Sequence, residues 1–291
     1  MNIGFIGAGK VSKAFGIYLK GRGFEISGYA SKRFKSAEQA AVMTGSSAFE
    51  KYEDIVQNAD MVFITVPDDS IYGVTRNISD LKCKLEGKIF VHMSGALSSN
   101  ELEGLSERGC GTYSLHPMLS FADTEKSVHM LKNAVFTLEG NGVEYEKVRM
   151  LVEGMGNKVH TIEKSQKTLY HAAACTASNY VVALVDFAAC MLKSAGIDEE
   201  GAFEMIGGLS QGALSNVLQM GADDSITGPI SRGDVGTVKR HIDAIADKYD
   251  SNLLSMYSAM GKRALEISKR KKLRDIEKAD QIEKILNGEC R

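Results

Sequence analysis

Apolar residues in the first half of the chain come as short runs separated by amphipathic stretches. Residues 2–6 read as a strand, 10–21 as a helix and 24–30 as a second strand. Helical spacing returns over 36–43 and 52–59, with room for a short strand between them. The run 60–66 reads as a buried strand, 69–78 as a helix, 88–93 as a strand, 98–108 as a helix and 112–115 as a strand. One more strand, helix and strand follow over 134–139, 143–155 and 158–162. Such alternation predicts a parallel sheet, because parallel strands need crossover helices that cover both faces.

After Glu163 the period changes. Residues 165–195 form one long helical stretch without proline or glycine, closed by Gly196 as a C-cap. Helical spacing continues over 202–219, 234–249, 253–272 and 277–286, and no strand pattern follows residue 162. The expected fold is α/β: a Rossmann-type, doubly wound and mostly parallel sheet domain over 1–163, followed by an all-helical domain over 164–291.

Composition excludes several function classes. The 291 residues carry 35 Lys and Arg against 37 Asp and Glu, a net charge of -2 that gives no overall field toward nucleic acid or an anionic membrane. The basic run Lys269, Arg270, Lys271, Lys272 and Arg274 sits at a helix end with acidic residues directly after it, and reads as a solvated helix face. No basic leader with an apolar core is visible, and the apolar stretch 180–192 is interrupted by Asp186 and too short to span a bilayer. Cys83, Cys110, Cys175, Cys190 and Cys290 are scattered without Cys-x-x-Cys spacing. A disulfide framework or zinc knuckle is not expected, no metal-ligand spacing occurs elsewhere, and a reducing cytoplasm fits.

The strongest motif is Gly7-Ala8-Gly9-Lys10-Val11-Ser12, placed between the first predicted strand and helix. Gly7 permits the tight turn, and the missing side chain of Gly9 lets the backbone approach a pyrophosphate held by amides of the helix start. Ser12 replaces the third glycine of the usual pattern and is small enough for close helix packing. NAD enzymes place an acid roughly 20 residues further on, for the ribose 2′-hydroxyl. Here that count reaches Ser31-Lys32-Arg33, with two cations and no acid, so NADP is expected in preference to NAD.

Later strand ends supply the other candidates. Val66 and Pro67 would wall the nicotinamide, while Asp68 or Asp69 reads as a helix N-cap. Ser94 is a candidate polar contact, and His116, held by Pro117, a candidate acid, base or donor. Lys167 and His171 share a helix face four residues apart, and Ser178 returns to that stripe nearly three turns later with Asn179 beside it. Lys167 or His171 would handle the proton, although Lys167 could equally snorkel to solvent. Arg232, between Gly228-Pro229 and Gly233-Asp234, could clamp a substrate anion or make a structural ion pair.

These motifs, with Leu115-His116-Pro117, Tyr170-His171-Ala172-Ala173-Ala174 and the 227–234 loop, run through nearly the whole chain in order. By them the sequence resembles a bacterial NADP oxidoreductase family that pairs a Rossmann-like domain with a helical C-terminal domain of unknown function. It is more distantly similar to 6-phosphogluconate dehydrogenase, ketopantoate reductase and pyrroline-5-carboxylate reductase. The resemblance implies a homodimer formed through the helical domains, an active site between domains, and a small-molecule substrate. In the hydroxyacid dehydrogenase branch a catalytic Lys is followed four residues later by Asn; Lys167 matches by position, and His171 stands where that Asn would be. The expectation is an NADP-dependent oxidoreductase acting on a C=O or C=N bond. The alternatives are a non-catalytic NADP-binding redox sensor and a pyrroline-5-carboxylate reductase-like imine reductase, whose threonine motif is not evident here.

Overall fold

The computed structural model describes residues 1–140, 142 and 144–289, so Cys290 and Val143, the first residue of one expected helix, lie outside the described residues. Two compact units are present, 1–179 and 180–291.

The first unit begins β1(Asn2–Ile6), α1(Lys10–Gly21), β2(Glu25–Ala30), α2(Phe34–Thr44), β3(Ser47–Phe49), α3(Tyr52–Gln57), β4(Met61–Ile64), α4(Asp68–Ser79) and β5(Ile89–His92). It continues through α5(Glu103–Ser106), β6(Gly111–Pro117), α6(Thr124–Leu131), β7(Val135–Glu139), α7(Tyr145–Gly154), β8(Lys158–Thr161) and α8(Lys167–Ala177). The eight strands form one sheet in the order β3-β2-β1-β4-β5-β6-β7-β8. All neighbours are parallel except β6 and β7, which run antiparallel. The order reverses between β1 and β4, and on this fold ligands bind beyond the carboxyl ends of the strands at that reversal.

The central strands are apolar throughout because both faces of the sheet are covered. Successive residues feed opposite layers: Phe5, Met61 and Phe63 enter one core cluster, while Ile6, Val62 and Ile64 enter the other. Phe63 stacks on Phe5 at 5.5 Å, and Phe15 of α1 meets Phe63 edge-on at 5.2 Å. The Tyr29 ring stacks on Phe5 and its hydroxyl fills the space beside Gly16, where a Cβ would come within 1.9 Å of it.

The second unit contains α9(Asn179–Ser194) from Tyr180 onward, then α10(Glu199–Met220), α11(Ala222–Ser225), α12(Val235–Lys248), α13(Ser251–Lys271) and α14(Ile276–Asn287). Its main core gathers Phe187, Val238, Ile242, Leu265 and Ile282. Asp234 caps α12 as expected, accepting from the Thr237 amide at 3.0 Å and its hydroxyl at 2.8 Å. The basic run is tied to acids on the surface: Lys269 to Glu283, Arg270 to Asp223 and Lys271 to Asp224.

Three expectations change. The helix expected over 98–108 is a 3-10 turn, Ser99–Leu102, followed by the four-residue α5. Helix α6 was not expected; it starts at Asp123, whose carboxylate accepts from the Lys126 amide. The single helix expected over 165–195 is interrupted at Ser178 (φ −122°, ψ −74°), dividing α8 from α9, and the compact units divide just after that break. The helical run as a whole, Lys164–Ser194, is nevertheless 31 residues long, with a window of mean hydropathy 1.5, so it has the length and composition to cross a bilayer that the stretch 180–192 lacked. Against that role, its α8 segment carries a lysine buried on the sheet.

Phe15 is fully buried between sheet and helix, so Phe15→Ala should cost about 3–5 kcal/mol. Urea unfolding followed by circular dichroism checks this through a lowered midpoint.

Candidate active site

The glycine turn follows directly from β1. Gly7 has φ 110°, and a Cβ there would lie 2.7 Å from the Thr65 backbone, so both conformation and space exclude other residues. Gly9 is the opposite case. A Cβ on it would meet no atom of the chain within 4 Å, so its bareness serves no internal packing and leaves the amides of the α1 start open to an anion. Ser12 is buried, its hydroxyl donating to the Gly9 carbonyl at 3.0 Å, and Lys10 donates to the Ala122 carbonyl at 2.6 Å.

A cavity of about 420 Å³ opens beside this turn, and Lys10, Lys13, Arg33 and Lys35 line it with Ser36 and Gln39. Among the described residues, four cations and no carboxylate line this space. Lys32 and Ser31 instead line a neighbouring cavity with Tyr52 and Asn77. A third cavity of about 440 Å³ runs from Gly9 and Val11 past Val66 and Pro67 to Met93, Ser94 and Phe121. The first and third of these cavities share Gly9 and Lys10 of the glycine turn. A further cavity, about 730 Å³ between Met1, Asp60 and Lys88, opens at the amino ends of β1, β4 and β5, the wrong end of the sheet for a nucleotide.

The loop after β5 is braced from several directions. His92 is buried; its Nδ1 accepts from the Ser94 amide at 3.2 Å, so its Nε2–H donates to the Ser98 carbonyl at 3.0 Å. Burial chiefly, with the nearby Lys167 charge, lowers its pKa to about 4. The Ser94 hydroxyl donates to the Asp68 carboxylate at 2.7 Å and accepts from the amides of Ala96 and Leu97. Asp68 therefore does not cap α4 as expected: Pro67 holds the N-cap position, and the carboxylate points to Ser94. The buried Glu139 carboxylate accepts from both the amide and hydroxyl of Ser99.

Lys167 is 2% exposed. Its Nζ donates to the Ser94 carbonyl at 3.0 Å and the Ser114 hydroxyl at 2.8 Å, and lies 5.7 Å from the Tyr170 ring centre. Burial pushes its pKa down to about 8, against the pull of Glu139 and Asp68. The side chain neither snorkels nor lines the cavities named here. One turn on, Tyr170 and His171 meet His116. The Tyr170 hydroxyl lies 2.7 Å from His116 Nδ1, and the two imidazole centres are 6.3 Å apart. Burial first, then the charges of Lys167, His171 and His92, lower the His116 pKa to about 4. His116 and His171 line a cavity of about 270 Å³ with Cys175, Ser178 and Asn179, so the expected stripe is gathered there without Lys167. Arg232 belongs to the second unit, exposed in the loop before α12.

Residues 1–117 match the Rossmann-like domain family, and 134–264 match the family described as a domain of unknown function, DUF2520. The chain pairs a Rossmann-like domain with a DUF2520 domain. The DUF2520 match begins at β7, so it takes in strand residues of the first unit as well as helices. Protein TM1727 from Thermotoga maritima is 28% identical with a TM-score of 0.74, over 92% of this chain and 98% of that one. The reductive aminase from Aspergillus terreus in complex with NADPH and ethyl-5-oxohexanoate is 14% identical with a TM-score of 0.68, over 92% and 97%. The imine reductase from Myxococcus stipitatus in complex with NADP+ is 14% identical with a TM-score of 0.68, over 91% and 94%. At such identity these likenesses show the fold. No curated protein sequence matches the chain significantly.

Sequence reasoning passed over Lys13, Lys35, Tyr170 and Glu139. Lys13 lies one turn from the glycine motif and Tyr170 three residues after Lys167, spacings that place them by their neighbours. Glu139 ends an apolar strand, and only the partner Ser99, forty positions away, reveals its place.

The lowered Lys167 pKa has a signed consequence. Between about 8 and 10.5 the unfolded chain keeps a proton that the folded chain has released, so this group makes stability rise with pH across that window. Urea unfolding at successive pH values should show the rise in the wild type and a flatter difference for Lys167→Met.

Proposed function

We propose that the chain is an NADP-dependent oxidoreductase that moves a hydride between nicotinamide and the C=O or C=N bond of a small polar substrate. The observation that carries this reading is the cavity where Lys10, Lys13, Arg33 and Lys35 converge beside Gly9. A diphosphate and a ribose 2′-phosphate account for that charge and for the bare glycine together, whereas a ribose hydroxyl would call for an acid. The amides of Lys10, Val11 and Ser12 would hold the diphosphate, with Ala8 at the turn. Arg33, with Ser31 and Lys32 close in sequence, would receive the 2′-phosphate, and Val66 and Pro67 would wall the nicotinamide. The reduced nicotinamide, when bound, supplies the hydride.

The chain's own residues manage the rest. Asp68 and His92 stiffen the Ser94 loop, so Ser94 acts through its fixed position, its hydroxyl already being engaged three ways. Lys167 is a positioning residue, because two of its three N–H donors are held by protein oxygens and its side chain lines none of these cavities. His171 and His116 line the cavity that Ser178 and Asn179 also line, and they would handle the proton. Ser178 and Asn179 would contact substrate. The comparisons with NADPH- and NADP+-bound reductases of the same fold support the coenzyme, and turnover of any carbonyl or imine substrate separates this reading from a sensor.

We infer further that the chain works as a homodimer in the cytoplasm. Leu209 and Leu218 of α10 are each 77% exposed, and Val182 of α9 is 69% exposed, an apolar surface that water alone does not cover at low cost. Cys83, Cys110, Cys175 and Cys190 are all free thiols, as a reducing compartment requires.

Thermal-shift titration should show NADPH stabilising the chain more than NADH. Arg33→Ala should weaken NADPH about ten- to a hundredfold while leaving NADH unchanged, the loss of a charged hydrogen bond. Equal response to both coenzymes would overturn the proposal. For assembly, Leu209→Glu combined with Leu218→Glu should convert a dimer to a monomer in sedimentation velocity.

A further inference from the structure

The cavity that Val66 and Pro67 line has a charge pattern that hydride transfer by itself does not require. Among the described residues lining it, Asp68 is the one carboxylate, Lys10 the one cation and Phe121 the one aromatic ring. Lys10 also lines the cation cavity beside the glycine turn, and it donates to the Ala122 carbonyl at 2.6 Å. Asp68 opens α4 directly after Pro67, and its Oδ2 accepts the Ser94 hydroxyl at 2.7 Å. That bond ties the loop after β4 to the loop after β5, and the other carboxylate oxygen has no hydrogen-bond partner among the described residues. Phe121 comes from the loop after β6. It is half-buried against the sheet core that also takes Val11, and the Lys10 bond pins the residue next to it.

The chemistry of the coenzyme gives this pattern a meaning. A reduced nicotinamide is neutral and its oxidised form is a cation. When a hydride passes to the carbon of a C=O or C=N bond, the substrate's oxygen or nitrogen takes up a proton, and the ring left behind gains one positive charge. A carboxylate attracts that charge at a distance, and the face of an aromatic ring attracts it at contact. Neither group holds a neutral ring as strongly. The Lys167 ammonium, bonded to the Ser94 carbonyl, lines no part of this cavity, and Glu139 and Asp68 are the carboxylates that act on it.

Resting on the oxidoreductase reading, we propose that Asp68 and Phe121 set the redox preference of the bound coenzyme: they favour NADP+ over NADPH and so bias the bound state toward reduction of the substrate. A group that holds the charged product of hydride loss more tightly than the neutral donor also lowers the barrier to that loss. The Ser94 hydroxyl keeps the Asp68 carboxylate from turning away into water. The two contributions differ in kind. That of Asp68 is a Coulomb attraction that salt screens, whereas that of Phe121 needs ring contact and is largely indifferent to salt.

The test is calorimetric titration of the full chain with NADP+, NADPH and 2′-phospho-ADP-ribose, which lacks the nicotinamide. Asp68→Asn keeps an acceptor for Ser94 and removes the charge. It should weaken NADP+ about fivefold and leave NADPH within about twofold, a difference that shrinks as salt is raised. Phe121→Leu keeps an apolar side chain and removes the ring, and it should weaken NADP+ relative to NADPH about threefold at every salt concentration. The nicotinamide-free probe should bind the wild type and both variants alike. Equal loss of NADP+ and NADPH in either variant, or loss of the nicotinamide-free probe, marks a structural role and overturns the proposal. If a variant fails to fold, the wild type decides: its preference for NADP+ should fall as salt is raised, and a constant preference overturns the role of Asp68. A wild type that binds none of the three ligands overturns the coenzyme reading itself, so the two failures are told apart.

Discussion

A single buried ammonium holds the site together. Lys167 gives two of its hydrogens to the Ser94 carbonyl, just after β5, and the Ser114 hydroxyl, midway along β6. Both acceptors are neutral, so the charge is stabilised by dipoles and the Tyr170 ring rather than by a contacting carboxylate. Removing either acceptor would leave a cation in a dry place, and α8 is therefore fixed to the carboxyl edge of the sheet. Tyr170 and His171, on the next turn, inherit that position. Their geometry toward His116 is a consequence of where the lysine ends.

The loop between β5 and the following 3-10 turn shows how the rest is kept rigid. His92, Asp68 and Glu139 are titratable groups that all spend their capacity on backbone or serine partners of this one segment. A loop so restrained offers Ser94 and Gly95 at fixed positions without entropy to lose when a ligand arrives.

The sheet half was readable because parallel strands are buried on both faces and stand out as apolar runs. Asn2–Ile6 and Lys10–Gly21 fall where the pattern puts them. Where the pattern failed, tertiary partners had prevailed. Helix α6 is short and polar, and it forms on the Asp123 cap and its packing against α1. The break at Ser178 has no glycine or proline to announce it. At the site, the glycine motif, Arg33, His116 and His171 were visible as types at meaningful spacings. The fate of Lys167 was not, because a lysine on an apolar stripe can run to solvent or turn inward, and the choice depends on Ser94 and Ser114, more than fifty positions away.

The contact between Gly16 and Tyr29 couples two positions on different elements. The tyrosine oxygen occupies the volume that a methyl group on α1 would need. Shortening that ring to phenylalanine opens room for alanine at position 16, and alanine is the better helix former by about 1 kcal/mol. Each exchange alone leaves either a void or a collision, so related chains should change the two sites together, and an engineer seeking a sturdier scaffold should introduce them as a matched pair.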